Sequence, residues 1–414
     1  MLPGTLQARP PGNSAPWRFL TAGYAFYVLF ILLNDLTGGE RQILGAAFFL
    51  AVITACAARH LFPLPLTGLT VALLFSALLP AVALLAGLTT GDDSSPAYVI
   101  KYFALLFVLL AASSLHLAPL YRAPERWWGL GAVLAVLAVG LVQGLSLERV
   151  EGSFANPNNY ALAAMSLLFF VDHARDPRWF ILGTHALVFV LILLSGTMGA
   201  LASYLAGLAV ALLHTRLAKL TYASLAAAAL LGAIVLIIFR TVDPEALAEM
   251  RYIGPLWSKV YVAQQHYADL AAGEDLNFWE LGNEYGGVEY TSSIWRLAHW
   301  RETLREFRRA GAFARLLGHG IGSSRVFLEK LPHNDYLRLL FEVGILGLLA
   351  NLAAWFILYR RTELAARGPA IMMAAYAFTE NNLDNFLVMS LFALFLASAA
   401  RPAPGAAGPP GAPP

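Results

Sequence analysis

The sequence predicts an all-α membrane protein, a polytopic bundle of about twelve transmembrane helices with one large helical loop on its outer face. Three observations predict it. Hydrophobic residues make up 58% of the 414 and charged residues only 13%, whereas a soluble domain carries about 25% charged residues to face water. Apolar runs recur along the chain at lengths near the roughly 20 residues that a spanning helix needs. Arginine and lysine are distributed unevenly between alternate connections, as the positive-inside rule requires. The net charge of +2 gives no argument for a nucleic-acid partner. The single cysteine, Cys56, lies in an apolar run, which excludes an intramolecular disulfide and argues against a thiol-ligated metal.

Residues 1–17 form a Pro/Gly-rich tail expected to be disordered, and the run 19–33 reads as a retained first span rather than a cleaved signal. Nine spans are expected over 18–239, near 18–34, 42–58, 65–88, 98–117, 127–146, 157–172, 179–195, 199–214 and 220–239. Three more follow over 333–400, near 334–358, 369–384 and 386–400, before a second disordered tail at 401–414. With the N-terminus inside, the short inner segments hold thirteen arginines and lysines, among them Arg59, Arg122, Arg126, Arg175, Arg178, Arg360 and Arg361. The short outer segments hold three, Arg41, Lys101 and Arg149. Both termini are therefore expected inside and the loop 240–332 outside.

That loop is too long to be a passive connection. It reads as a helix over 255–272, with Pro255 at its first position, and an acidic joint carrying Glu274, Asp275, Glu280, Glu284 and Glu289. A second helix starts after Thr291-Ser292-Ser293, any of which can cap it, and runs to about residue 310. It bears Arg296, Arg301, Arg305, Arg308 and Arg309, of which 301, 305 and 308 share a face. Guanidinium groups suit a phosphate-bearing partner because they bind its oxygens in a fork. The competing reading is a solvated face paired with Glu302 and Glu306, which is the expectation for Arg305, Arg308 and Arg309. Arg296, between Trp295 and Trp300, is the functional candidate.

The following span opens on polar groups, Pro332-His333-Asn334-Asp335-Tyr336-Leu337-Arg338, where apolar ones would insert more cheaply. Ionisable groups at membrane depth cost on the order of 2.5–3.5 kcal/mol each, which makes them functional candidates. His333, Tyr336, Leu340, Gly344 and Gly347 fall along one side of a helix, the two glycines permitting close helix packing. Asn334, Arg338 and Glu342 form a neighbouring stripe, in which Arg338 and Glu342 either neutralise each other or serve a ligand. His333 reads as an interfacial capped histidine or as a general base, help worth roughly 10²–10⁴-fold. Asn156 with Pro157 reads as a plain helix cap, or as a helix start whose free N–H groups face outward and can hold an anion. Asp35, Glu40, Asp92 and Asp93 read as loop solvation.

Gly318-His319-Gly320-Ile321-Gly322, then Pro332-His333-Asn334-Asp335-Tyr336-Leu337 and Glu342-Val343-Gly344-Ile345-Leu346-Gly347, resemble the signature of the O-antigen ligase/polymerase family. Gly152-Ser153-Phe154-Ala155-Asn156-Pro157-Asn158 is similar to that family's Gly-x-Phe-x-Asn-Pro-Asn run, and 292–300 to its Ser-x-x-x-Arg-x-x-x-Trp pattern. The resemblance covers about 150–390 and implies a GT-C-like bacterial inner-membrane glycosyltransferase, working without a metal or other cofactor. Its donor would be an undecaprenyl pyrophosphate-linked oligosaccharide and its acceptor a glycan or lipid A–core, with transfer on the periplasmic face. By that match Arg296 would bind pyrophosphate and His333 activate the acceptor. Asn334, Tyr336, Arg338, Arg301, Arg251, Asn156 and Asn158 would contact substrate, and the polar turn Glu380, Asn381, Asn382, Asp384 and Asn385 is a candidate lining for the sugar pocket. The chain departs from the family pattern at Ser195-Gly196-Thr197-Met198, where Met198 stands in place of an arginine, so either Arg251, Lys259 or Arg325 serves the phosphate or the site is altered. A repeat-unit polymerase is the expectation, a ligase the alternative. A transporter or flippase, the non-enzyme rival, would need polar groups near mid-membrane, whereas here they gather at one end of the spans.

Overall fold

The computed structural model describes residues 15–37, 42–58, 67–85, 95–115, 117–144, 150, 156–214, 254–273, 276–285, 291–328 and 331–400. The two expected tails (but for the last three residues of 1–17), the expected span at 220–239, Arg251 and residues 152–155 lie outside the described residues. The described chain is all-helical, apart from one isolated bridge between Thr362 and Ala400. Four helices, Pro16–Leu33, Arg126–Gln143, Arg178–Ser195 and Asp335–Arg361, are long and apolar enough to cross a membrane. Five shorter ones of 10–17 residues are also apolar.

In chain order the helices are α1 (Ala15–Thr37), α2 (Gln42–Ala57), α3 (Gly68–Leu85), α4 (Ser95–Ser114), α5 (Arg126–Gly144), α6 (Pro157–Ser166), α7 (Arg178–Ser195) and α8 (Met198–His214). The segment 240–332 supplies α9 (Gly254–Ala272), α10 (Phe278–Glu284), α11 (Ser292–Arg309), α12 (Ala312–Leu317) and α13 (Ser323–Phe327). The chain closes with α14 (Asp335–Arg361), α15 (Leu364–Tyr376) and α16 (Phe386–Ala399). α16 is apolar all round and buried along nearly its whole length, the mark of a core helix. It packs on α4 and α6, while α15 lies along α8 and α14 along α3. The α8–α15 contact is close because Gly207 and Gly368 face each other: a Cβ on either would stand 2.8 Å from the other's carbonyl oxygen. Small residues at such crossings let backbones approach where helix association cannot rely on the hydrophobic effect.

Two expected spans are shorter than predicted. The segment 157–172 becomes ten residues of α6 followed by a 3₁₀ turn, Leu167–Phe170, all buried from Pro157 except at Asn158 and Asn159. Ten residues rise only about 15 Å, half of a hydrocarbon core about 30 Å thick, so the surrounding helices must cover it. The segment 369–384 becomes α15, which ends at Tyr376, before the polar turn 377–385. The helix expected over 255–272 is α9, and the second loop helix is α11, with Thr291 at the cap position but without a side-chain capping bond.

α14 is not continuous. Gly344 has φ 70° and ψ −177°, a conformation open essentially only to glycine. The expected stripe from His333 to Gly347 is therefore broken. The glycine serves a loop rather than a packed helix. At the break the carbonyls of Phe341 and Glu342 accept the backbone N–H groups of His319 (3.0 Å) and Gly320 (2.9 Å). The two backbones touch: a Cβ on Gly344 would sit 2.3 Å from the Leu316 carbonyl oxygen, and one on Gly318 would sit 2.2 Å from that of Glu342. An unpaired carbonyl in an apolar surrounding costs several kcal/mol, so loop and broken helix satisfy each other.

The connections gather in two groups. At one end Arg122 pairs with Asp172 (2.9 Å) and Glu363 (2.7 Å), and Arg126 holds Asp176 through two bonds of 2.7 and 2.9 Å. His173 lies there too, its Nε2 3.0 Å from that of His185. At the other end residues 156–158, 195–198, 291–300, 331–334 and 377–385 converge. Burial lowers the His173 pKa from 6.5 to about 4, against the opposing charges of Asp172 and Asp176.

Gly344→Ala should destabilise the protein by about 1–3 kcal/mol from backbone strain alone, with the loop clash added. Gly183→Ala, whose Cβ meets nothing within 4 Å, should be neutral or slightly stabilising, and melting curves in detergent compare the two. A histidine held neutral by burial contributes stability above its unfolded pKa that is lost as pH falls. Between pH 6.5 and about 4 the wild-type melting temperature should therefore drop more than that of His173→Gln.

Candidate active site

His333 sits just before the cap of α14, with φ 47°, the one non-glycine in the left-handed region among the described residues. That region costs an ordinary residue about 1–2 kcal/mol, and histidine is among the types that tolerate it. Its neighbours hold it there. The Asn334 side chain caps α14 by accepting the Leu337 N–H at 3.0 Å, and the Asp335 N–H donates to Ala377 O at 2.8 Å. Asp335 Oδ2 accepts the Leu383 N–H at 3.2 Å, tying the 377–383 turn to the helix start.

That turn presents Glu380, which is buried, and both of its oxygens are engaged. Oε2 lies 3.0 Å from His333 Nδ1, and Oε1 accepts from Arg296 Nη2 of α11. A carboxylate can only accept, so in this contact His333 Nδ1 is the donor. α11 is fastened by aromatic contacts as well. Trp295 meets the His333 ring edge-to-face at 5.4 Å, Trp300 Nε1 donates to Pro332 O at 2.7 Å, and Trp300 meets Phe378 at 5.2 Å.

Two chambers meet at His333. The larger, about 470 Å³, is lined by Tyr98, Asn156, Asn158, Asn159, Arg325, Leu331, His333, Tyr376, Glu380, Asn381, Asn382 and Asp384. Asn381 Oδ1 and Asn382 Oδ1 are buried acceptors with no donor among the described residues. The smaller, about 190 Å³, is lined by Asn158, Thr197, Met198, Lys259, Ser292, Trp295, Arg296 and His333. It is cationic, with Arg296 on one wall and the buried Lys259 on another. Lys259 Nζ donates to Gly196 O at 3.0 Å, which brings the ammonium to the 195–198 turn that carries Met198. Of the three cations considered for that turn, Lys259 lines the smaller chamber, Arg325 lines the larger one and Arg251 lies outside the described residues.

The expected site residues divide. His333, Arg296, Asn156 and Asn158 line the chambers. Asn156 also caps α6, its oxygen accepting the Asn158 N–H at 2.8 Å, and Asn158 Oδ1 accepts from the Thr197 hydroxyl at 3.3 Å. Four others do not line them. Asn334 is a buried cap, and Tyr336 donates to Ala374 O at 2.7 Å beside a separate apolar cavity of about 240 Å³ between α14, α15 and α16. Arg301 donates to Leu270 O and binds α11 to α9. Arg338 is buried between Glu342 (3.2 Å) and Asp384 (2.7 Å), and Ser324 donates to Glu342 as well. Arg305 and Arg309 pair with Glu302 and Glu306 on an open face. His319 is packing: its ring stacks on Phe341 at 4.5 Å, and burial lowers its pKa.

Glu380 is the central residue that sequence reasoning placed only as sugar-pocket lining. Its polar neighbours signalled the turn, but its partners lie 47 and 84 residues away. No protein-family model matches the chain, and no curated protein matches it significantly.

Removing one member of a buried ion pair leaves the other uncompensated, at a cost of about 3–5 kcal/mol. Arg338→Ala should therefore lose folded yield and melt early, because Glu342 and Asp384 depend on it. Arg305→Ala on the exposed face should do neither, and size-exclusion profiles of the two variants would show the contrast.

Proposed function

We propose that this protein is a membrane glycosyltransferase that moves glycan units from an undecaprenyl pyrophosphate donor to a sugar hydroxyl on the periplasmic face. The observation that carries the reading is the meeting of a cationic chamber and a carboxamide-lined chamber at one imidazole. The motif resemblance to the O-antigen ligase/polymerase family agrees with it. In this reading the twelve-span bundle lies in the bacterial inner membrane with both termini cytoplasmic, and the chambers open at the periplasmic interface. The grouping of alternate connections at opposite ends of the bundle supports that topology.

The leaving group is a diphosphate whose charge grows as the glycosidic bond breaks. Arg296 and Lys259 stand where fixed cations would stabilise that charge more in the transition state than before it, which is what accelerates a reaction. The acceptor hydroxyl approaches from the larger chamber. His333 Nε2 takes its proton as the oxygen attacks the anomeric carbon, and a single displacement inverts that centre. Asn381 and Asn382 line the chamber that would take the acceptor, where carboxamides supply the hydrogen-bond partners its other hydroxyls need away from water. The donor's polyprenyl chain stays in the bilayer, which fits a site at the helix ends.

The purified protein, given a defined undecaprenyl pyrophosphate oligosaccharide, is expected to build a ladder of longer glycans, as a polymerase does. Transfer only when lipid A–core is supplied would instead identify a ligase, and no transfer under either condition sinks the reading. His333→Asn, which tolerates the left-handed backbone, and Arg296→Gln should each slow turnover by at least about 10²-fold. Near-wild-type rates in both would exclude the assigned chemistry.

A further inference from the structure

We propose that Glu380 is a positioning residue that couples the leaving-group cation to the proton acceptor, holding Arg296 until the diphosphate arrives and His333 in one tautomer throughout. The inference rests on the proposed glycosyl transfer for its ligand, but its geometry does not. Glu380 is the one carboxylate that touches both groups among the described residues: Oε1 takes Arg296, and Oε2 lies 3.0 Å from His333 Nδ1. It is buried, so its charge is little screened, and it is anchored by the Asp335 contacts that fix the turn. A second network nearby shows the contrast. Arg338 is enclosed by Glu342 and Asp384, neither of which lines the cationic chamber. Arg296 and His333 both line that chamber, so a ligand entering it meets the partners of Glu380 directly.

The consequence is an exchange. A diphosphate offers Arg296 more negative charge than one carboxylate can, and a fork geometry that suits it. As Arg296 turns to the diphosphate, Glu380 is left to the imidazole alone. A carboxylate on Nδ1 keeps the proton on that nitrogen and favours the imidazolium that forms when Nε2 takes the hydroxyl proton. Donor binding thereby readies the base, and an acceptor that arrives first meets a less basic imidazole. No covalent step is added: the proton leaves the acceptor oxygen for Nε2, and Glu380 stays ionised.

The test uses the full-length protein, with inorganic pyrophosphate as the probe. Glu380→Gln removes the competing charge, so pyrophosphate should bind about five-fold tighter by calorimetry, in the range expected for losing one ion-pair competitor. In the same variant kcat should fall on the order of 10²-fold or more while the donor KM falls or stays level. Glu380→Asp should recover part of the rate. Tighter binding with slower turnover is a pairing that general damage to the fold does not produce. Pyrophosphate affinity that is unchanged or weaker in Glu380→Gln overturns the coupling.

Histidine ¹⁵N spectra of the ligand-free protein, assigned by difference from His333→Asn, decide the second half. The proton is expected on Nδ1 of His333 in the wild type, and a wild type protonated on Nε2 overturns the proposal whether or not any variant folds. If the wild type binds no pyrophosphate at all, it is the anion-chamber reading that fails, and the tautomer still decides the role of Glu380.

Discussion

A backbone carbonyl surrounded by hydrocarbon has to find a donor, and at Gly344 the chain meets that requirement outside its own helix. The break exposes the carbonyls of Phe341 and Glu342, and the loop at 319–320 fills them. Much of the outer end follows from this junction. It fixes the loop against α14, which brings Ser324 onto Glu342 and Arg325 into the larger chamber. It also shortens the rigid part of α14 ahead of the break to little more than two turns. His333 and the Asn334 cap therefore sit on a stub held from two sides, and a strained backbone at His333 persists because its surroundings over-determine it.

The charges at this end form two arrangements with different consequences. In the more closed one the Arg338 guanidinium is buried against Glu342 and Asp384, of which only Asp384 also reaches a chamber, and it lies over the Tyr98 ring at 5.0 Å. Such a group holds helices in register, and its desolvation is offset by its bonds. Arg296, Glu380 and His333 are open, because all three line chambers that a ligand can enter. The difference between a structural and a chemical cluster here is access, not residue type. Lys259 illustrates the same point, its ammonium held by a backbone carbonyl yet still part of a chamber wall.

Much of the helical architecture was legible in the sequence, because few folds other than a membrane bundle combine apolar runs of spanning length with a biased charge distribution. The described helices coincide with most of the expected apolar runs and with both long loop helices. What could not be read were features that depend on partners distant in the chain. Gly344 and Gly347 looked like a helix-packing pair, and nothing local distinguished that from a break filled by residues 319–320. Arg301 and Arg305 share a face by spacing, but only tertiary packing turned one to the Leu270 carbonyl and left the other in solvent. His333 and Arg296, which line one chamber, could be singled out because polar groups opening an apolar helix and an arginine between two tryptophans stand out locally. Glu380 was visible as part of a polar turn, but its role was not, since that role consists of two contacts made across the fold.

The contacts that fasten α11 to the bundle are made by Trp295, Arg296 and Trp300, and their counterparts are His333, Pro332, Phe378 and Glu380. The arm and its berth are thus two halves of one recognition surface, encoded in segments far apart in the gene. A chimera that exchanged only this arm with that of another protein would bring side chains shaped for a different berth. Transplanting the arm by recombination would therefore require the 377–385 turn to travel with it.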